Sequence, residues 1–288
     1  MEPKVSVIIT IRNVEKYIET CLKSILDQTI KDFELVIVDD MSSDNTQQII
    51  EKFDDYRIKY FRNPKRLGLT KNRNKGLSYA TGEYIFFTDG DCAVSRDWIA
   101  QGLNCFRETD CVGVEGKIYY VSKDYAPTFS DHFSSNETGG LFMTGNMAYK
   151  KTIIETIGGF DEKYSYHEDR DLALRILKKG RICFNPNMIV YVQKEILTPR
   201  EIVRRIGIAK NRVYLFKRFG DKALITWRIV DLVDLARIVF PPLVFAGLLS
   251  KRFQNTSDYR LLPFTYVRSI LERLQLWKTC AEERVFLI

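Results

Sequence analysis

The sequence lacks a C-x-x-C pair, and neither of its two histidines, His132 and His167, stands near a cysteine at zinc-ligand spacing. A zinc finger or ribbon is thereby excluded as the element that holds the fold together. The six cysteines, at positions 21, 92, 105, 111, 183 and 280, are instead expected to be reduced and mostly buried thiols. Internal repeats and low-complexity linkers are also missing, which argues against a solenoid or a tethered array. The charge-free stretch IVFPPLVFAGLL, residues 238–249, falls short of the roughly 20 apolar residues that span a bilayer. Nor does the N-terminus show the longer apolar core and small-residue cleavage site of a secretion signal, since Met-Glu-Pro-Lys leads straight into VSVIITI. A cytoplasmic location is the expectation.

What is present suits an α/β protein. With 288 residues, 45% of them apolar and 28% charged, the chain can bury a large core and still furnish a smaller second unit. The net charge of +7 is unevenly spread: residues 197–288 hold 17 Lys and Arg against 8 Asp and Glu, whereas residues 1–196 hold 27 against 29. The near-neutral front part needs no polyanionic partner. The basic stretch points to an anionic surface, lipid headgroups or nucleic acid.

The segments VSVIITI (5–11), FELVIV (33–38), RIKYF (57–61) and EYIFFTD (83–89) are short, β-branched and aromatic, as buried strands are. Helical spacing follows them. Ile18, Leu22, Ile25 and Leu26 recur on one face, and Ile49, Ile50 and Phe53 do so behind Ser43, which is placed to serve as an N-cap. Strands alternating with helices at these distances predict right-handed crossovers and a mainly parallel sheet flanked by helices. In such a sheet ligands bind outside the carboxyl ends of the strands.

From about Leu197 the pattern becomes helical alone, which sets expected domains of 1–196 and 197–288. Ile202, Ile206, Ala209, Val213 and Phe216 line one face, while Arg204, Arg205, Lys210, Arg212, Lys217 and Arg218 supply charge. A basic amphipathic helix either lies on an anionic bilayer or packs its apolar face on the α/β domain, and both readings stand. The 238–249 stretch fits a membrane-dipping element or a buried hairpin broken at Pro241-Pro242. An anionic membrane surface is the expected partner and nucleic acid is not; a second copy of the chain is the other candidate for this apolar surface.

Carboxylates mark the predicted strand ends. Asp39 and Asp40 close the second strand and open the turn Met41-Ser42-Ser43-Asp44, where they can accept hydrogen bonds from a base N–H or a ribose hydroxyl. Alone, the pair is better explained by a helix cap and a solvated turn. Asp89-Gly90-Asp91 closes the fourth strand, and Gly90 is expected to leave room for a ligand between the carboxylates. Hard oxygens suit Mg²⁺ or Mn²⁺, which bind through one or two carboxylates plus substrate phosphates. In LGLTKNRNKGL, Lys71, Arg73 and Lys75 occupy the start of a predicted helix, where the helix dipole prefers acids. An anion nearby is the implication. The Arg73 fork suits diphosphate oxygens, and a solvated face serves equally for Lys71 and Lys75. In HEDRDLALRI, Glu168, Asp169 and Asp171 are either ordinary first-turn acids, or one of them is a general base that deprotonates an attacking hydroxyl. The loop from Tyr125 to Gly145, together with Asn146 and Glu168, is assigned to acceptor recognition or a closing lid.

Taken in order, VSVIITIRNVEKYIETCLKSILDQT, FELVIVDDMSSDNT, GLTKNRNKGLSYATGEYIFFTDGD, TGNMAYKK, GGFDE and EDRDLALRI resemble family 2 glycosyltransferases of the Rossmann-like GT-A fold. Each motif is weak singly and specific as a set, covering roughly residues 4–195. The resemblance implies that Thr10, Arg12 and Asp40 line a nucleobase pocket and that Asp39 and Arg73 support the nucleotide. It also implies that Asp89 and Asp91 serve the ribose and a Mn²⁺ or Mg²⁺ ion, with Asp91 the surest ligand, and that Asp169 is the catalytic base. The implied reaction is inverting transfer of a sugar from a nucleoside-diphosphate sugar to an acceptor hydroxyl. No Q-x-x-R-W motif follows the base and no long membrane helices flank the domain, so a single addition is expected rather than polymerisation. A late histidine ligand to the metal is unavailable, because His132 and His167 are the only histidines. The basic stretch makes a lipid-linked or cell-surface glycan precursor the expected acceptor, met on the cytoplasmic membrane face in polysaccharide biosynthesis. Two rival classes are a sugar-nucleotide nucleotidyltransferase, which lacks its G-x-G-x-R loop here, and a non-catalytic membrane adaptor. The adaptor gives no reason for carboxylates at successive strand ends.

Overall fold

In the computed structural model, Val5–Ile11 (β1), Phe33–Asp39 (β2), Ile58–Arg62 (β3) and Tyr84–Asp89 (β4) run parallel in the order β3-β2-β1-β4. The structure describes residues 3–120, 136, 138–192, 205–220 and 262–285. Cys92–Val94 (β5), Gly113–Tyr120 (β6), Met147–Lys150 (β7) and Ile182–Val192 (β8) extend the sheet to eight strands, ordered β3-β2-β1-β4-β7-β6-β8-β5. All but β5 and β7 share one direction, so the sheet is mainly parallel as the alternation of strand and helix predicts. One departure is local. β4 leads into the short strand β5 and not directly into a helix.

The strands bury both faces, which is why they read as continuous apolar runs. Val5, Val7, Ile9 and Ile11 of β1 join one apolar cluster and Ile8 the other; Phe33, Leu35 and Ile37 of β2 likewise oppose Val36 and Val38. The helices of this unit are Ile18–Leu26 (α1), Thr46–Ile50 (α2), Leu69–Tyr79 (α3), Trp98–Glu108 (α4), Lys151–Thr156 (α5) and Glu168–Ile176 (α6). α1 and α4 supply Ile18, Leu22, Ile25, Trp98, Ile99 and Leu103 to the first cluster, and α5 and α6 supply Ile154, Leu172 and Ile176 to the second. Each such side chain contributes roughly 1.5–3 kcal/mol on burial.

Ser43 does not cap α2. The helix starts at Thr46, whose N–H bonds Asp44 Oδ1 at 3.1 Å, while the Ser43 amide donates to Asn13 Oδ1 at 2.8 Å. Ser43 is therefore committed to tying the loop after β1 to the loop after β2.

The described residues fall into two compact units, the second formed by a short 3₁₀ turn, Arg205–Gly207, and the helices Ile208–Phe219 (α7) and Leu262–Glu283 (α8). Val213, Leu276 and Cys280 form its apolar cluster, and Lys217 Nζ bonds Glu283 Oε2 at 2.6 Å. The basic helix expected in this stretch is present from Ile208. Its Val213 is buried, and so are Asn211 and Leu215, outside the single stripe expected from sequence. Ile202, the 238–249 stretch and most of the loop from Tyr125 lie outside the described residues. Among those described, no helix is long and apolar enough to cross a membrane.

Candidate active site

Sheet register assembles the site. Thr10 pairs with Val38 on one side and Asp89 on the other, and Ile11 pairs with Asp39, so the carboxyl ends of β2, β1 and β4 stand side by side. Thr10 Oγ1 is buried and finds no hydrogen-bond partner in the protein. Such a hydroxyl costs free energy unless a bound group or water completes it. Arg12 follows in the exposed loop after β1.

Asp39 and Asp40 are both buried, unlike the cap and solvated turn that best explain the pair on its own. Asp39 is fully buried: its Oδ1 accepts from the Ser42 amide at 2.8 Å and the Ser42 hydroxyl at 2.7 Å, and its Oδ2 accepts from the Tyr60 phenol at 2.6 Å. Burial and that last bond push the Tyr60 phenol well up. Asp40 receives the Leu67 amide at 2.6 Å and the Gly68 amide at 3.1 Å, which shapes the loop leading into α3. Burial alone would raise the Asp40 carboxyl, but bonds from Asn72, Leu67, Gly68 and Asn63 outweigh it and hold the group below its ordinary range.

Asp89 and Asp91 flank Gly90 at the end of β4, and ligand atoms of Asp89, Asp91 and Cys92 all lie within 4.8 Å of one another. The reason for glycine here is packing. A Cβ at Gly90 would come within 2.6 Å of Ile11 Cγ2, so the missing side chain makes room for β1. Gly145 plays the corresponding part from the turn Thr144–Asn146, where a Cβ would approach Asp89 Oδ2 to 3.0 Å. Burial and the Asp91 and Asp89 carboxylates raise the Cys92 thiol well above its ordinary value.

Arg73, on α3, is nearly buried and joins the two acidic groups. It pairs with Glu168 through Nη1, reaches Asp89 Oδ1 at 3.4 Å through Nη2, and lies 5.7 Å over the Phe160 ring. The anion implied by the basic start of α3 is thus supplied by the protein's own carboxylates. Lys71 faces Glu162 at 3.8 Å and Lys75 donates to Asn63 at 2.7 Å. Asp169, beside Glu168, accepts the Arg170 amide at 2.7 Å and the Thr144 amide. Its carboxyl is raised to about 7, first by burial and then by the Glu168 charge, with Arg73 opposing both. The structure therefore gathers Thr10, Asp89, Arg73, Gly145, Glu168 and Asp169 around one crevice.

Asn146 is placed in the interior. It donates to the Lys117 and Met188 carbonyls, both at 2.8 Å, and accepts the Trp98 indole N–H at 2.8 Å, leaving no exposed amide for an acceptor. Sequence reasoning missed Glu115, which is buried in β6 and accepts the amides of Gly140, Leu141 and Phe142 and the side chain of Asn136. It also missed Asn63, directly after β3. Strand-end logic applied to β3 would have found Asn63; nothing local signals Glu115.

A sheet of this order with an acidic pair at the end of β4 and a second acidic helix start facing it is the architecture of a GT-A glycosyltransferase. Residues 6–169 match the model of Glycosyl transferase family 2, and the chain belongs to that family. It is 31% identical over 238 residues to the UDP-Glc:alpha-D-GlcNAc-diphosphoundecaprenol beta-1,3-glucosyltransferase WfaP of Escherichia coli, covering 77% of this chain and 94% of WfaP. Glycosyltransferase GlyA of Streptococcus pneumoniae serotype 4 is 34% identical over 179 residues, which are 60% of this chain and 23% of GlyA. In fold the chain is similar to the mannosyltransferase PcManGT from Pyrobaculum calidifontis, solved with GDP-Man and Mn²⁺. That alignment has a TM-score of 0.67 at 20% identity and covers 96% of this chain and 88% of PcManGT.

Proposed function

We propose that this glycosyltransferase moves one sugar from a nucleoside-diphosphate sugar to an acceptor hydroxyl with inversion, with a Mn²⁺ or Mg²⁺ ion held by Asp91 and Asp89 and with Asp169 as general base. The observation that carries this reading is the connected chain from Asp89 through Arg73 to Glu168 and its neighbour Asp169. It couples the candidate metal carboxylates to a half-buried carboxyl poised near neutrality. The donor set fits a hard ion: Cys92 stays protonated, and the two carboxylates leave positions for phosphate oxygens and water. Such an ion, when bound, supplies positive charge to the departing diphosphate. Thr10, Arg12 and Asp40 border the nucleobase end of the crevice, with Asp39 bracing it from beneath. Asp169 takes the acceptor proton as the hydroxyl oxygen attacks the anomeric carbon from the side opposite the diphosphate, which inverts that carbon. Both Asp169 ionisation and Arg73 placement are set before substrate arrives.

The test is a donor screen that reads the released product. Nucleoside diphosphate supports transfer, whereas pyrophosphate would mean nucleotidyl transfer and overturn the reading. Asp91→Ala is expected to abolish Mn²⁺-dependent stabilisation by the donor nucleotide; titrations unchanged from the parent would remove Asp91 from the metal site.

For the acceptor we propose a lipid-linked glycan precursor, met at the cytoplasmic face of an anionic membrane by residues 197–288. The WfaP name supplies one support, since its acceptor is a diphosphoundecaprenol. The surplus of basic residues there supplies charge complementarity. The third support is α8, where Val267, Leu271, Leu274 and Trp277 step along one face and are each more than a third exposed. The protein should co-sediment with vesicles rich in anionic lipid, and Leu274→Glu should release it. Concentration-dependent dimerisation abolished by the same change, without vesicle binding, would assign the face to a second copy instead.

A further inference from the structure

Cys105 of α4, Cys111 just ahead of β6 and Cys183 of β8 meet at the amino ends of β6 and β8, where Val114 pairs with Cys183. These strands share the direction of β4, so the thiols occupy the opposite edge of the sheet from Asp89 and Asp91. The three sulfurs all lie within 4.8 Å of one another, and Cys105 Sγ is 4.0 Å from Cys111 Sγ. Cys111 is buried, while Cys105 and Cys183 are partly open to solvent.

We propose that Cys105, Cys111 and Cys183 form a three-thiolate site for a thiophilic d¹⁰ cation, with Zn²⁺ as the biological candidate. With Zn–S bonds of about 2.3 Å, two thiolates on a tetrahedral zinc lie roughly 3.8 Å apart. The observed 4.0 Å is within tenths of an ångström of that spacing, whereas a disulfide needs about 2.05 Å. Sequence logic passed over this set because the cysteines form no local pair motif. The ring holds no carboxylate, so Mg²⁺ and Mn²⁺ do not compete for it. Water can reach the fourth position beside the exposed flanks of Cys105 and Cys183. The Thr109 hydroxyl lies 3.7 Å from Cys183 Sγ, and the Arg181 guanidinium, 3.3 Å from Asp110, also donates to the Cys183 sulfur, which favours its thiolate. A cation here ties the end of α4 to β6 and β8, next to the β5 edge of the sheet, so its binding free energy adds to folding.

The experiment takes the reduced whole chain, freed of metal by chelation, and titrates it with Zn²⁺ or Cd²⁺ in excess Mg²⁺, which keeps the carboxylate site filled with a hard ion. The expected results are one tightly retained equivalent, a thiolate-to-Cd²⁺ absorption in the near ultraviolet, and protection of Cys105 and Cys183 from alkylation. Cys105→Ser and Cys183→Ser should each cut that absorption by about a third and weaken Zn²⁺ binding about tenfold or more. Both sites are partly exposed and serine is nearly isosteric; circular dichroism and parental donor turnover show that each variant is folded. Cys280→Ser should change nothing. The proposal is overturned by absence of a retained equivalent, or by absorption that survives both Cys105→Ser and Cys183→Ser, which would place the ion on other thiols.

Discussion

Replacing Asp169 by asparagine should stabilise the protein while disabling it. The carboxyl is moved from 3.8 to about 7 by burial and the adjacent Glu168 charge. The folded-state value lies above the unfolded one, so the associated stability is complete below the unfolded value and is lost as pH rises towards the folded one. At about 1.4 kcal/mol per tenfold of proton affinity, the loss between pH 5 and pH 8 is roughly 3 kcal/mol, with little further change above pH 8. The neutral amide of the variant carries no such cost. Denaturant unfolding of parent and Asp169→Asn across that interval should show their stability difference growing by roughly 2–3 kcal/mol in favour of the variant and then levelling off. Turnover should fall by about 10²–10⁴ with donor affinity retained, and parental turnover should lose about tenfold per pH unit below the midpoint. A stability difference independent of pH would refute the argument that burial sets this carboxyl. Near-normal turnover by the variant would refute its role as base.

Two further changes probe the groups around it. Arg73→Gln leaves Glu168 buried without its cation and should cost roughly 3–5 kcal/mol. It also removes the charge that opposes protonation of Asp169, so the acid limb of the rate profile should move to higher pH. Arg73→Lys should restore the limb and only part of the stability, and a profile unmoved in Arg73→Gln would disconnect the two residues. Glu115→Ala strips the acceptor from the amides of Gly140, Leu141 and Phe142 and should cost roughly 2–4 kcal/mol. Because that loop leads into the Thr144 turn, the KM for acceptor should rise more than the KM for donor; equal rises would make Glu115 a stability residue alone.

How much of this was legible depended on locality. β1, β2 and β4 were readable because strands buried on both faces are apolar throughout, whereas β5, of three residues, and β7, of four, are too short to establish a period. The crevice was readable because parallel strands aim their carboxyl ends at ligands, and Asp39, Asp40, Asp89 and Asp91 stand there. Their division of labour was not. Whether Asp39 faces solvent or Ser42 and Tyr60 depends on where β3 lies, and Gly90 is explained by Ile11 on a neighbouring strand. Glu115 and Asn146 find partners about 20–50 positions away, beyond any motif.

That division explains why the neutral-range titration falls on Asp169. Several carboxylates converge on one crevice, and like charges at short range cannot all ionise without compensation. Asp39 and Asp40 are compensated by hydroxyl and backbone donors, Glu168 takes the nearer fork of Arg73, and Asp89 stays partly solvated. Asp169 is left with two amides and a guanidinium already engaged by others, in a half-buried position beside Glu168. Its proton affinity is therefore a property of the whole arrangement. A change that takes positive charge from Arg73 raises it, and a change that neutralises Glu168 lowers it, so the pH midpoint of transfer reports on residues that need never touch the sugar.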